Sequence, residues 1–361
     1  MLLTTLLALA GQIPDTLRAD TTRATRLGDV TVTVTRTPES LARVPAAASV
    51  IDRNGIGGAR ALLGLDEALN GVPGVYISNR YNFSLDQRVT IRGFGSRAPF
   101  GTRGVKILLD GIPQTTPDGQ SQFTNIELGT IDRIEVLRGS ASSLYGNAAG
   151  GAIVLRSALP PADGVTTVAR VEAGSFGLLK WQASAAGRHG RLGGTLSLAQ
   201  TTWDGFRRQS TVDARQLNSS LHYQAGARTS LTLRVNAGHV PQAQNPGALT
   251  FAEYAANPDS TVPTNISRGA DKDSRQLQGG LTFRHLSMGG HDTEATVFAY
   301  QRDIENPIAA PQPPITASGG TYIQLSRDVA GLRVSHGRRL AASLSAPRLV
   351  LGLDAQRMAD D

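Results

Sequence analysis

The sequence contains no cysteine, and lysine occurs only at positions 106, 180 and 272. The absence of cysteine excludes disulfide frameworks and thiolate metal sites. No stretch approaches the roughly 20 apolar residues of a membrane-spanning helix, so a helical membrane protein is excluded. A spanning β-barrel is not excluded, because its pattern is spread over short alternating segments. Aromatic residues make up only 5% of the chain, which would leave an interfacial aromatic girdle sparse.

The positive charge is dispersed over the chain. The formal charge is +7, and the longest basic runs are the pairs Arg207–Arg208 and Arg338–Arg339. Nucleic-acid binders cluster basic residues with aromatic ones, so nucleic acid is not expected as a partner. The histidines show no metal-ligand spacing, and nucleophile-elbow, zinc-protease and phosphate-loop motifs are absent. We therefore expect no catalytic residue, no metal site and no cofactor, and we expect that the protein is not an enzyme.

The N-terminus begins with an apolar run through Ala10 and contains the pattern Ala8-Leu9-Ala10. This resembles the end of a secretory signal peptide, although the first arginine is Arg18 and a positive leading region is missing. One interpretation is an exported protein with a partial signal peptide at residues 1–12. The other is an ordinary apolar N-terminus. Export is the prediction.

Residues 37–157 mix short helices and strands, which predicts a small α+β globule. Apolar residues at helical spacing follow residue 60, Gly71 stands where a C-terminal cap is needed, and Pro73 prevents continuation. Turn residues separate four predicted strands. These are Gln87–Arg92, Val105–Asp110, Ile131–Leu137 and Ala152–Arg156.

From residue 165 to 361 the pattern changes to strict alternation of apolar and polar residues. Leu221 and Tyr223 share one face, for example, and Ser220 and His222 share the other. We count about nine such strands. They fit either a soluble antiparallel sheet with one wet face or a transmembrane barrel with a polar lumen. Short and long connections largely alternate, as between periplasmic turns and extracellular loops, and this favours the barrel.

Five segments then resemble, in order, the plug domain of the TonB-dependent outer-membrane receptors: "DVTVTVTRTPESLARVPAAASVID", "LDEALNGVPGV", "QRVTIRGFGSR", "VKILLDGIP" and "IDRIEVLRGSASSLYGNAAGGAIVLRS". The resemblance implies an α+β plug followed by an antiparallel transmembrane β-barrel of about 22 strands. It also implies a monomer in the outer membrane of a Gram-negative bacterium, with the outer-membrane lipid and the inner-membrane TonB complex as partners. The segments "GFGSRAPFGTRG" and "QTTPDGQSQ" are most similar to the siderophore-receptor branch, which implies import of a ferric siderophore or similar small chelate.

Within a periplasmic N-terminal segment at residues 13–36, "DVTVTVT" resembles the TonB box. An alternating β-branched segment can add as a strand to the sheet edge of a partner and transmit a pull. The alternative is that this segment is simply the first strand of the plug. The residues concerned are Asp29, Val30, Thr31, Val32, Thr33, Val34 and Thr35.

Arg92 and Arg138 match the positions at which family plugs are locked to glutamates on inner barrel strands. A guanidinium in a protein-lined lumen needs such a carboxylate, because an unpaired buried charge is costly. The alternative is that each arginine ends a strand in solvent, which is also the interpretation for Arg156. The partner glutamates of the family lie on strands beyond residue 361, and about nine strands cannot close around such a plug. We therefore expect an N-terminal portion of a receptor that does not transport by itself.

The resemblance also implies that the outer loops of the plug contact the ligand. Arg97 and Arg103 could meet an anionic chelate, helped by backbone N–H groups, or could be solvated loop arginines. A different class of function, a secreted or periplasmic β-rich ligand-binding protein with a plug-like domain, is the alternative hypothesis. The candidate ligand residues are Ser96, Arg97, Phe100, Arg103, Gln114, Asp118 and Gln120.

Overall fold

The computed structural model describes residues 30–58, 60–78, 81–97, 101–287, 289–308, 320–341 and 346–361. Residues 31–157 form one unit, called the plug below, and the strands between residues 164 and 360 form a second unit, called the wall. The predictions made for residues 1–12, Asp29 and Phe100 lie outside the described residues.

The plug is built from nine short strands and three short helices among its described residues. The strands are β1 (Thr31–Val32), β2 (Glu39–Ser40), β3 (Ala47–Asp52), β4 (Val75–Ser78), β5 (Arg88–Ile91), β6 (Val105–Leu109), β7 (Ile112–Pro113), β8 (Ile131–Arg138) and β9 (Gly151–Ser157). The helices are α1 (Arg53–Gly57), α2 (Leu65–Leu69) and α3 (Ser142–Tyr145), with single 3-10 turns at Leu41–Arg43 and Leu128–Thr130.

The central sheet of the plug has the strand order β3-β8-β9-β6-β7. Strands β6 and β9 run parallel, and the other neighbours run antiparallel. One face of the sheet packs against α1, α2 and the β4-β5 hairpin to form the main core. Fully buried aliphatic side chains fill this core, and each stabilises the fold by about 1.5–3 kcal/mol. They include Leu69, Ile91, Ile107, Ile134 and Leu155.

The helix predicted from residue 60 begins only at Leu65. Leu62 has a left-handed backbone, with φ of +55°. The Glu67 carboxylate accepts hydrogen bonds from the backbone N–H groups of Leu62 and Leu63, at 2.8 and 2.7 Å. These bonds satisfy N–H groups ahead of the helix and hold the preceding turn outside it. Asn70, rather than Gly71, ends the helix.

The wall is one antiparallel sheet of nine strands among the described residues, arranged in sequence order. Its first and last strands each pair with a single neighbour. The strands are β10 (Gly164–Ala173), β11 (Leu179–His189), β12 (Leu192–Trp203), β13 (Val212–Gly226), β14 (Thr229–Ala243), β15 (Asp273–Leu286), β16 (His291–Ile308), β17 (Thr321–Arg339) and β18 (Arg348–Asp360).

Connections at one end of the wall are tight turns, such as residues 190–191 and 227–228, and this end is called the short-turn end. The opposite, long-loop end carries residues 204–211 and 244–272, the latter including α4 (Phe251–Ala256) and α5 (Pro263–Ser267). The prediction of an α+β plug followed by about nine antiparallel strands is confirmed. None of the helices in the described ranges has the length and apolar character needed to cross a membrane.

Candidate functional site

The wall turns a polar inner face toward the plug and an apolar outer face away from it. In β13, Ser220 and His222 are 8% and 6% exposed, whereas Leu221 and Tyr223 are 48% and 42% exposed. In a sheet with one face in water, the apolar side chains are the covered ones. This wall has the reverse arrangement, which suits a sheet that faces lipid on its outer side.

The N-terminal segment of the plug, Thr31–Thr35, lies against the rest of the plug. The side chains of Val32 and Val34 are completely buried in a second apolar cluster of the plug. The backbone N–H groups of Thr33 and Val34 both donate to one carboxylate oxygen of Glu135, at 2.6 and 2.7 Å. Glu135 is only 1% exposed. The N–H groups that a partner strand would need are therefore occupied from within the plug.

Two more plug side chains bind this segment. Arg156 donates to the hydroxyl of Thr33 at 2.8 and 3.0 Å, and the hydroxyl of Tyr145 donates to the carbonyl of Val34 at 2.8 Å. Burial raises the pKa of Tyr145 to about 12, although nearby arginines work in the opposite direction. The phenol therefore keeps its proton and remains a donor at neutral pH. Arg156 is thus more than a strand-end charge.

Arginines complete the contacts around the segment. Arg133 donates to the carbonyl of Thr31 and lies 3.1 Å from the carboxylate of Glu135. Arg36 pairs with Asp354 of β18, with one contact at 2.9 Å, and so joins the segment to the wall. These contacts are all within the chain and do not test binding to TonB. The assignment of Thr31–Thr35 to the TonB box therefore stays a prediction.

Two of the candidate ligand residues pair with each other. Arg103 donates to the carbonyl of Asp118 at 2.7 Å, and its guanidinium lies 3.8 Å from the carboxylate. That carboxylate is also 3.9 Å from Arg327 of the wall. Burial works against ionisation of Asp118, but hydrogen bonds from Thr116 and Gln120 and the charges of Arg327 and Arg103 lower its pKa. Asp118 is therefore an anion that partly neutralises the plug and wall arginines beside it.

The other candidates lie in different settings. Ser96 and Arg97 are exposed, and Arg97 makes no hydrogen bond or ion pair with the described residues. The hydroxyl of Ser96 donates to the carbonyl of Gly93 at 2.8 Å. Gln120 is half-buried. Ser96 and Arg97 are thus open to solvent, and Arg103 is too, with 47% of its side chain exposed.

The assignment of Gln114 as a ligand contact needs a correction, because the residue has no exposed surface. Its amide donates to Gln278 of the wall at 2.9 Å and accepts from Asn125 of the plug at 3.0 Å. Asn125 donates in turn to Asn236 of the wall at 2.9 Å. The chain folds back onto the inner face of the wall at this point, so Gln114 contacts the wall and is shielded from any ligand in solvent.

These amides belong to a longer hydrogen-bonded series across the plug–wall contact, called the amide seam. Gln276 donates to Gln278 at 3.3 Å and accepts from Arg302 at 2.8 Å. Arg302 also donates to Gln122 of the plug at 2.7 Å, and it is only 3% exposed. Sequence reasoning missed the seam, although the polar inner positions of β15, two residues apart, indicated which side chains would face the lumen. Its members are Gln114, Gln122, Asn125, Asn236, Gln276, Gln278 and Arg302.

The two predicted locking arginines contact no carboxylate of the described wall. Arg138 donates to the carbonyl of Pro73 at 2.9 Å and to the hydroxyl of Ser49 at 3.1 Å, both within the plug. Arg92 is exposed, with a left-handed backbone at the end of β5. Their locking role therefore stays a prediction.

No group of histidine and acidic side chains in the described ranges is arranged to hold a metal ion. The charged groups are used instead for contacts between the plug, its N-terminal segment and the wall. The plug is a folded domain that packs against the polar inner face of the wall, and it binds its own N-terminal segment Thr31–Thr35.

The sequence of this chain is similar to those of characterised proteins. The sequence profile of the TonB-dependent receptor plug domain matches residues 40–153. A hemin receptor of Yersinia enterocolitica is 25% identical over 310 residues, which are 83% of this chain and 43% of that protein. The vitamin B12 transporter BtuB of Vibrio vulnificus is 32% identical over 196 residues, 54% of this chain and 30% of the transporter. The chain spans less than half the length of these relatives.

Solved structures show the same architecture. The ferric citrate transporter FecA in its unliganded form superimposes with a TM-score of 0.70 at 21% identity, covering 87% of this chain and 48% of FecA. The ferric yersiniabactin uptake receptor FyuA from Yersinia pestis gives a TM-score of 0.68 at 17% identity, covering 87% of this chain and 49% of FyuA. At these identities the likeness shows the shared fold.

Proposed function

We propose that this chain belongs to the TonB-dependent outer-membrane receptors. In this proposal it supplies the plug and wall strands of a receptor that imports a ferric siderophore or similar small chelate. The observation that carries the proposal is the reversed polarity of the wall, with a folded plug on its inner face. A barrel built from many such strands would be an open pore unless a folded domain occupied it. A soluble binding protein would not expose so much apolar surface on one face.

The energy for import has to come from a partner, because the outer membrane holds neither an ion gradient nor ATP. We infer that Asp29–Thr35 binds TonB by adding a strand to its sheet. The β-branched residues of this segment support strand formation. The bonds from Thr33 and Val34 to Glu135 then define a resting state that must open before TonB can bind.

The charge at the long-loop side of the plug supports an anionic cargo. Arg97 is exposed, and Arg103 is partly exposed beside Asp118. An anionic chelate would compete with Asp118 for the guanidinium of Arg103, since a charge-assisted bond can form with either. The relatives named above are receptors or transporters of hemin, vitamin B12, ferric citrate and ferric yersiniabactin, which supports a small metal-containing cargo.

Ligand titration tests this proposal, with Trp203 as the reporter. Trp203 lies against the plug rings of Tyr81 and Phe83, with ring centroids 5.8 and 6.1 Å apart. Ferric hydroxamate, ferric catecholate, ferric citrate, haemin and cobalamin are titrated into the detergent-solubilised chain, with the iron-free chelators as blanks. We expect an anionic ferric chelate to change the fluorescence, and Arg103→Ala to weaken its binding by about tenfold.

The matched control is Arg228→Ala, which removes an exposed arginine at the short-turn end and should leave the affinity unchanged. Binding of none of the iron chelates would contradict the proposed cargo. An affinity that Arg103→Ala leaves unaltered would contradict the role of that residue.

A further inference from the structure

All three lysines of this arginine-rich chain are buried. Lys106, Lys180 and Lys272 are 7%, 3% and 5% exposed, although lysine is among the residues least often buried. Lys106 belongs to the plug strand β6, whereas Lys180 lies in β11 and Lys272 directly precedes β15. The burial of the two wall lysines has to be explained by the plug that covers them.

Lys180 fits a socket formed by plug atoms. Its ammonium group lies 3.0 Å from the carboxylate of Glu127 and donates to the carbonyl of Leu62 at 2.7 Å. The same carboxylate oxygen of Glu127 accepts the backbone N–H of Gly129 at 2.9 Å, which fixes its position. Both charged side chains are only 3% exposed. The plug therefore replaces the water that Lys180 would otherwise bind.

Lys272 makes an equivalent contact with a different part of the plug. Its ammonium group lies 2.8 Å from the carboxylate of Asp86, and the two side chains are 6% and 8% exposed. Arg234 of β14 likewise faces Asp110 of the plug at 3.2 Å. In all these pairs the wall supplies the cation and the plug the anion. The polarity is opposite to the arginine-to-glutamate lock that the family resemblance implies.

A buried ion pair is costly to form, but separating its partners is costlier, because each is then left without its counter-charge. We propose that Lys180 and Lys272 fasten the plug to the wall near the long-loop end. Each lysine holds a separate segment of the plug, one through Asp86 and the other through Glu127. Movement of the plug away from this side of the wall has to break both pairs.

Cysteine labelling on the inner face of the wall tests this proposal. Thr296 is 2% exposed and lies against the plug turn at Gly111. Because the chain has no native cysteine, maleimide labelling of a Thr296→Cys variant in detergent reports how often the plug uncovers this site. Adding Lys180→Met and Lys272→Met should raise the labelling rate by about tenfold or more.

Two further variants separate the ion pairs from general damage. Arg215→Met removes an exposed ion pair on the wall, in which 56% of the arginine side chain is accessible, and should leave the rate unchanged. Adding Glu127→Gln to Lys180→Met should slow labelling relative to Lys180→Met alone, because no unpaired carboxylate remains.

A parental labelling rate in the variant that lacks both lysines would overturn the proposal. Fast labelling that Glu127→Gln does not reduce would also overturn it, since the loss of the ion pair would then not be the cause. Far-UV circular dichroism on the same samples reports whether the strands are retained. If the variant that lacks both lysines loses strand structure, the proposal is tested by comparing Lys180→Met with and without Glu127→Gln.

Discussion

Replacement of Glu135 by alanine should accelerate tryptic cleavage after Arg36 by about a hundredfold, because it releases the segment that contains Thr31–Thr35. The buried carboxylate accepts the N–H groups of Thr33 and Val34. Hydrogen bonds to a charged group contribute about 1.5–3 kcal/mol each, so losing both costs about 3 kcal/mol or more. Each 1.4 kcal/mol changes a population by about tenfold. Mass spectrometry of the cleavage products gives the rate.

Asp132→Ala is the matched control, since Asp132 lies on the same strand but is exposed, and its cleavage should follow the parent. Glu135→Gln should be intermediate, because the amide keeps one acceptor oxygen. Cleavage of Glu135→Ala at the parental rate would refute the claim that Glu135 holds this segment against the plug. Binding of TonB is tested separately with Glu135→Ala, which should bind isolated TonB more tightly than the parent does. Fast cleavage without TonB binding would refute the assignment of this segment as the TonB box, but not the role of Glu135 in holding it.

Replacement of Lys106 by methionine should stabilise the plug at neutral pH. Burial lowers the pKa of Lys106 from 10.5 to about 8; Arg333 and Arg36 add to this effect, and Asp354 opposes it. Each pKa unit between the unfolded and folded chain is worth about 1.4 kcal/mol. The ionised lysine therefore costs the plug about 3 kcal/mol below pH 8, and Lys106→Met should raise the unfolding free energy by about 2–3 kcal/mol at pH 7.

The pH dependence gives this prediction its sign. Between pH 8 and 10.5 the unfolded chain binds more protons at this site than the folded chain, so the stability of the parent rises with pH in this window. The advantage of Lys106→Met should therefore fade above pH 10. Urea unfolding in detergent at pH 7 and pH 10.5 measures both values. Lys106→Arg stays charged and should be less stable than Lys106→Met at both pH values. A methionine variant no more stable than the parent at pH 7 would contradict this explanation.

The strands of the wall could be predicted from the sequence, as could the four plug strands β5, β6, β8 and β9. Alternation along a strand is a local property, and one face of β13 reads as apolar whatever lies next to it. The sequence also predicted which face of the wall points outward. Leu221 and Tyr223 are exposed, as predicted, while Ser220 and His222 are covered by the plug. What the sequence could not supply was the strand ends, because several strands extend beyond their alternating segments.

The contacts between the plug and the wall could not be predicted in the same way. Lys180 and Glu127 meet only because the plug is seated on β11, and nothing local to either residue indicates the other. Gln114 was assigned to a ligand-contacting loop from its neighbours in sequence, but it is buried against Gln278. The start of α2 was misplaced for a related reason: Glu67 binds backbone N–H groups that helical spacing alone assigns to the helix.

The central claim, that the outer face of the wall meets lipid while its inner face meets the plug, can be measured with the only two tryptophans of the chain. Trp181 is 38% exposed on the outer face, and Trp203 is 8% exposed on the inner face. In bilayers of brominated lipid, the Trp203→Phe variant should show strong quenching of Trp181, and the Trp181→Phe variant should show little quenching of Trp203. Equal quenching of the two, or none for Trp181, would contradict the account.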